Sequence, residues 1–118
     1  MNKSEFIKLF CNYNNSARQE MAKNNYRQNN KIMKKRDKLI SNSCNKNFFE
    51  DALLEMMNSN DIYVCLPAAI QCLKYKIEKT QAIKIIKAAS KRKDIGVASL
   101  EAEMTLKVYN GEIPNRTL

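Results

Sequence analysis

The chain has 118 residues with 21 Lys/Arg against 12 Asp/Glu, a net charge of +9, and no histidine. That is about one domain's worth of chain, 44% hydrophobic and 28% charged, ordinary for a globular protein with one modest core. Two glycines and two prolines are too few for the frequent turns of a sandwich or barrel, and with plentiful Lys, Glu, Ala, Leu and Met they point to an all-α fold.

The first helix is expected to start after Ser4, as N-cap, with Glu5 in its first turn. Phe6, Phe10, Tyr13, Ala17 and Met21 form its apolar stripe, with Asn14-Asn15 either breaking or only weakening it. A second helix over roughly 23–41 has a thin seam of Tyr26, Met33 and Ile40, helped by Ala22 and Ile32. Ser41-Asn42-Ser43 is a loop, and Asn47 with Glu50 resembles a capping box for a third helix carrying Phe48, Phe49, Ala52, Leu53, Met56 and Met57. Asn58 to Asp61 is a turn. The fourth helix shows Ile62, Cys65, Leu66, Ala69, Ile70 and Leu73 on one face; Pro67 inside it either kinks the helix or marks a start near Leu66. The fifth, about 78–92, has Ala82, Ile83, Ile85, Ile86 and Ala89 as its core face. The sixth, about 96–110, has the series Val97, Leu100, Met104 and Val108, with Gly111 at C′ and Pro114 stopping any continuation.

Residues 1–46 hold 11 Lys/Arg and 3 Asp/Glu, a net +8, whereas 47–118 hold 10 and 9, a net +1. A core from 46 residues alone is rare, so the expected organisation is a single domain over 1–118, with basic N-terminal helices in 1–46 and helical hairpins in 47–118.

Without histidine there is no Ser-His-Asp or Cys-His arrangement and no base with an ordinary pKa near neutrality. No P-loop and no dinucleotide-binding glycine motif occurs, so no enzyme activity and no cofactor are expected. Cys11, Cys44, Cys65 and Cys72 contain no C-x-x-C pair, which argues against zinc and for thiols in a reducing compartment. Cys65 and Cys72 sit about 10.5 Å apart along one helix, too far for a disulfide. No apolar run nears the roughly 20 residues of a membrane span, and Phe6 to Phe10, interrupted by Lys8, is too short for a signal peptide. A cytoplasmic protein is expected.

Two surfaces are candidates for binding. Arg27, Lys31, Lys34 and Lys38 fall within about 60° on the second helix, widened by Lys23 and Lys35. Such a stripe is a solvated face or a site for an acidic protein surface or nucleic-acid phosphates. Glu50, Asp51 and Glu55 form a smaller acidic face able to dock a basic partner. A second basic run, Lys84, Lys87, Lys91, Arg92 and Lys93, lies on the outer side of the fifth helix. Tyr63, Tyr75 and Tyr109, at or near helix ends, are candidate interface residues.

The segment 53–73, LLEMMNSNDIYVCLPAAIQCL, resembles a HEAT-type helical hairpin: an apolar helix, an Asp-bearing turn, then Val64 and Ala68-Ala69 before Leu73. Where the HEAT pattern has a basic residue after that valine, this chain has Cys65. With the closing stretch AEMTLKVYNGEI (102–113), carrying Met104, Thr105, Leu106 and Gly111, and the N-terminal NNYRQNNKIMKK, the chain resembles a bacterial domain-of-unknown-function family, number two thousand and nineteen. The resemblance implies about six helices in a HEAT-like α-superhelical stack. Chains of this kind also resemble immunity proteins encoded beside bacterial toxins. The implied function is non-catalytic binding of a cognate toxin or other protein, with nucleic acid as the alternative partner and no membrane or metal.

Overall fold

A computed structural model describes residues 1–113. They form six α-helices and no strand: α1 (Lys3–Ala22), α2 (Tyr26–Ser43), α3 (Phe49–Met57), α4 (Ile62–Lys74), α5 (Lys79–Ser90) and α6 (Val97–Tyr109). The fold is all-α. Among the described residues no helix is long and apolar enough to cross a membrane. Two compact units divide the chain, Met1–Met56 and Met57–Leu118.

In the first unit, α1 and α2 pair as an antiparallel hairpin across a three-residue turn. Asn2, not Ser4, caps α1: its Oδ1 accepts from the Glu5 N–H at 2.9 Å. The helix runs unbroken through Asn14-Asn15 and ends in a Schellman motif. Asn24 takes the left-handed position at φ +61°, and the Asn25 N–H reaches the Glu20 carbonyl at 2.9 Å. Asparagine tolerates that conformation better than most residues. Asn25 then caps α2, which starts three residues later than the sequence suggests, at Tyr26. At α3, the Phe48 carbonyl accepts the first helical bond, from the Ala52 N–H at 2.9 Å, so Phe48 rather than Asn47 holds the cap position. The centre of this unit is aromatic. Phe6 and Phe10 are fully buried, with ring centroids 5.8 Å apart, and Phe6 meets Phe49 edge-on at 5.6 Å. Such pairs contribute about 0.5–1.5 kcal/mol each beyond their area.

The second unit packs α4 against α5, and α6 against both. Asp61 caps α4 by accepting from the Tyr63 N–H at 2.9 Å. Pro67 lies inside the regular helix rather than at its start, and lacks the N–H that would meet the Tyr63 carbonyl. More than half of the circumference of α4 is buried: Cys65, Leu66, Ala68, Ala69, Gln71, Cys72 and Leu73 are all in the core. The Cys65 thiol donates to the Met57 carbonyl at 3.1 Å, tying the start of α4 to the end of α3. Burial raises the Cys65 pKa, so the group stays a thiol. α4 also ends in a Schellman motif, with Lys76 at φ +60° and the Ile77 N–H on the Cys72 carbonyl at 2.8 Å.

α5 buries Ala82, Ile86 and Ala89 and half-buries Ile83 and Ile85. α6 departs from the sequence reading. Its buried residues are the small Ala102 and Thr105, and Val97 and Leu100 are 59% and 60% exposed. At 100° per residue the packed residues lie about 125° around the helix from the Val97–Leu100–Met104–Val108 stripe. Small side chains let α6 sit close to its neighbours, and the long aliphatic ones face away. Gly111 takes the expected C′ position at φ +77°, with the Glu112 N–H on the Lys107 carbonyl at 2.8 Å. Pro114 lies outside the described residues.

Candidate functional site

The expected seam of α2 was Tyr26, Met33 and Ile40, but Tyr26 is 57% exposed. Its hydroxyl donates to Asn24 Oδ1 at 3.1 Å, beside the turn. The buried face instead runs through Asn29, Leu39, Ile40 and Ser43, with Ile32, Met33 and Arg36 half-buried. Two polar side chains tie this face to α1. Asn29 Nδ2 donates to the Ala17 carbonyl at 2.8 Å, and Arg36 Nη1 donates to Asn14 Oδ1 at 3.0 Å. The Arg36 guanidinium lies 6.0 Å from the Phe10 ring centroid and also bonds Asp37 Oδ1.

That packing fixes where the other cations point. Arg27, Lys31, Lys34 and Lys38 are all exposed, on the side of α2 opposite Asn29, Arg36 and Ser43. Lys35, also exposed, lies on the flank of this row. Among the described residues no carboxylate comes within ion-pair distance of these five. The row from Arg27 to Lys38 extends about 16 Å along the helix. Lys23 is not part of it. It is the C-cap of α1, precedes the left-handed Asn24, and lies 4.0 Å from Glu20 Oε1.

The acidic alternative is weaker as a charged surface. Glu50, Asp51 and Glu55 are exposed on α3, but Glu55 Oε1 is 3.3 Å from Lys3 Nζ. Glu50 and Asp51 occupy the first turn of α3, where the helix dipole stabilises them without a partner.

In the second unit Lys84, Lys87, Lys91 and Lys93 are exposed. Arg92 turns to Asp94, its Nη2 donating to Oδ2 at 2.6 Å and its Nε to Oδ1 at 3.0 Å. That hydrogen bonding holds the Asp94 carboxyl below its ordinary pKa of 3.8 and raises that of Arg92. Tyr63 and Tyr75 are half-buried, whereas Tyr109 is exposed with Lys79 Nζ 5.5 Å from its ring. Cys65 and Cys72 are buried and Cys11 and Cys44 half-buried, and none of the four is in a disulfide. Among the described residues no three His, Cys, Asp or Glu side chains converge as a metal site.

The inward Arg36 and Asn29 were missed because both are polar. The signal was their spacing: 29, 32/33, 36, 40 and 43 follow the helical i, i+3, i+4 rule better than Tyr26, Met33 and Ile40 do. Comparison with family models, curated proteins and solved structures finds no match to this chain.

Proposed function

We propose that this chain is a non-catalytic protein-binding module that works through the exposed cations of α2, in its most concrete form an immunity protein neutralising a cognate toxin domain by direct binding. The observation that supports the reading is the row Arg27, Lys31, Lys34 and Lys38, flanked by Lys35, which has no carboxylate partner among the described residues. Like charges held in line along one helix repel each other, and an acidic partner relieves that repulsion. The hairpin beneath is pinned by Asn29 and Arg36, so the backbone that carries the row is fixed before binding. The partner surface must be acidic; a basic toxin domain would instead engage Glu50 and Asp51.

Co-expression with the product of the neighbouring upstream gene tests this. Growth should be restored by the native chain and not by Lys31→Glu with Lys34→Glu, whose thermal stability should match the parent. Protection that survives the charge reversal overturns the role of the row, and an upstream product with no toxic domain overturns the immunity reading.

A second reading, nucleic-acid binding through backbone phosphates, is favoured by the linear spacing of the four cations. It requires log K to fall with log salt at a slope of about −3 to −4, near −0.9 per phosphate engaged. An absence of duplex DNA or RNA binding at about 50 mM salt dismisses it.

A further inference from the structure

We propose that the outward face of α6, with the basic corner preceding it, is a docking site for an amphipathic helix of a partner protein, one with apolar residues at helical spacing and carboxylates in its terminal turn. This site is independent of the α2 reading.

The apolar half of the argument is the stripe itself. Val97, Leu100 and Met104 are exposed, and Val108 continues their line while half-buried. Together they form a row at i, i+3, i+7 and i+11, the geometry by which one helix receives another. α6 does not need this row for its own packing, because Ala102 and Thr105 provide that on another face.

The charged half lies where the row begins. Leu100 forms one wall of a hollow of about 520 Å³ also lined by Lys91, Arg92, Lys93, Gly96 and Ser99. Arg92 is neutralised by Asp94, whereas Lys91 and Lys93 have no carboxylate within ion-pair distance among the described residues. Farther along, Lys107 is paired with Glu103 at 3.4 Å. At the N-terminal end of the stripe the uncompensated charge of Lys91 and Lys93 is positive, and the matching occupant is apolar along its length and acidic at the end that meets them.

The same charges argue against a second copy. A second α6 laid parallel brings Lys91 and Lys93 to themselves. The apolar row is also short. Four aliphatic side chains supply only part of the roughly 800 Å² per partner of a stable interface, which suits a transient helical partner better than a permanent dimer.

Two synthetic helical peptides test the proposal. Both carry Leu at i, i+3, i+7 and i+11. One has Glu in its first turn, where its own dipole favours acids, and the other has Lys there. Fluorescence anisotropy should show the Glu peptide binding at least ~10-fold tighter than the Lys peptide. Leu100→Asp, and separately the pair Lys91→Glu and Lys93→Glu, should each weaken the Glu peptide by ~10-fold or more. Leu100 is exposed, so circular dichroism melts of Leu100→Asp should overlay the parent. Failure of the Glu peptide to bind, equal binding of both peptides, or binding indifferent to Leu100→Asp overturns the proposal. So does self-association, or adsorption to phosphatidylglycerol vesicles, that Leu100→Asp abolishes.

Discussion

Arg36 offers a quantitative test of the first unit, because it is the one α2 cation turned inward. Its side chain is 11% exposed. Replacing it by Ala removes a charged hydrogen bond to Asn14, at about 1.5 kcal/mol, and the contact with the Phe10 ring, at about 0.5 kcal/mol. Withdrawing the buried methylenes of the stem costs about a further 1.5 kcal/mol. Against these stands the rotamer entropy recovered by deleting an ordered arginine, about 1.5 kcal/mol. The net is a destabilisation of about 2 kcal/mol, or a urea midpoint lower by about 1 M for a slope near 2 kcal/mol/M. The exposed Lys34, replaced by Ala as a control, should stay within about 0.5 kcal/mol of the parent. Arg36→Met keeps the stem and should recover roughly half the loss. A double-mutant cycle with Asn14→Ala should give a coupling of at least about 0.5 kcal/mol. If Arg36→Ala and Lys34→Ala melt together, Arg36 does not pin the hairpin in solution, and the rigid presentation of the basic row loses its basis.

Backbone geometry makes two opposite predictions, both readable in urea melts. Gly96 has φ +60° and ψ −128°, accessible essentially to glycine alone, and an added Cβ would meet nothing within 4 Å, so Gly96→Ala should cost about 1–3 kcal/mol from the backbone alone. Lys76 sits in the left-handed region at the end of α4, so Lys76→Gly should be net stabilising by about 0.5 kcal/mol after the extra freedom of the unfolded chain is counted. Gln71 is buried with its Oε1 lacking a partner, and Gln71→Met keeps the volume while removing that oxygen, so stability should rise by about 1 kcal/mol; a loss of that size would mean the amide is hydrogen-bonded in solution. The Asp94 pKa is lowered in the folded chain, so its pairing with Arg92 favours folding above the ordinary value of 3.8 and ceases to as pH falls through the folded value. An NMR titration should find the Asp94 midpoint moving up in Arg92→Ala; an unmoved midpoint refutes the pairing.

How far the sequence reveals this structure depends on what each residue type can signal. The all-α class and the number of helices follow from composition and period, and the C′ role of Gly111 follows from a glycine just past a periodic segment. The caps were harder. Ser4 and Asn47 are good capping residues by type, yet Asn2 and Phe48 hold those positions, because the aromatic cluster of Phe6, Phe10, Phe48 and Phe49 sets where α1 and α3 begin to pack. The α2 cations were legible as a row, but Lys23 was misplaced because nothing about Asn24 announces that it turns the chain rather than continuing a helix. Arg36, being charged, gives no hydrophobic signal, although its register with Asn29, Ile40 and Ser43 places it inward.

α6 shows the limit of periodicity most clearly. The series Val97, Leu100, Met104 and Val108 is as regular as that of any buried stripe, and the regularity is real. Periodicity reports that one face of a helix is selected for apolar contact, but not whether the contact is with the same chain. Here the internal contact is made by Ala102 and Thr105, residues too small to dominate a hydrophobic pattern. Had the stripe existed only to fold this chain, its exposed members would gain nothing from being long and aliphatic, since polar residues at 97, 100 and 104 would leave the packed face unchanged. Replacing Val97, Leu100 and Met104 together by Gln should therefore leave the urea midpoint within the scatter expected of surface substitutions, about 0.5 kcal/mol per site. A collapse of stability in that triple variant would return the stripe to the core, and with it the docking proposal would fall.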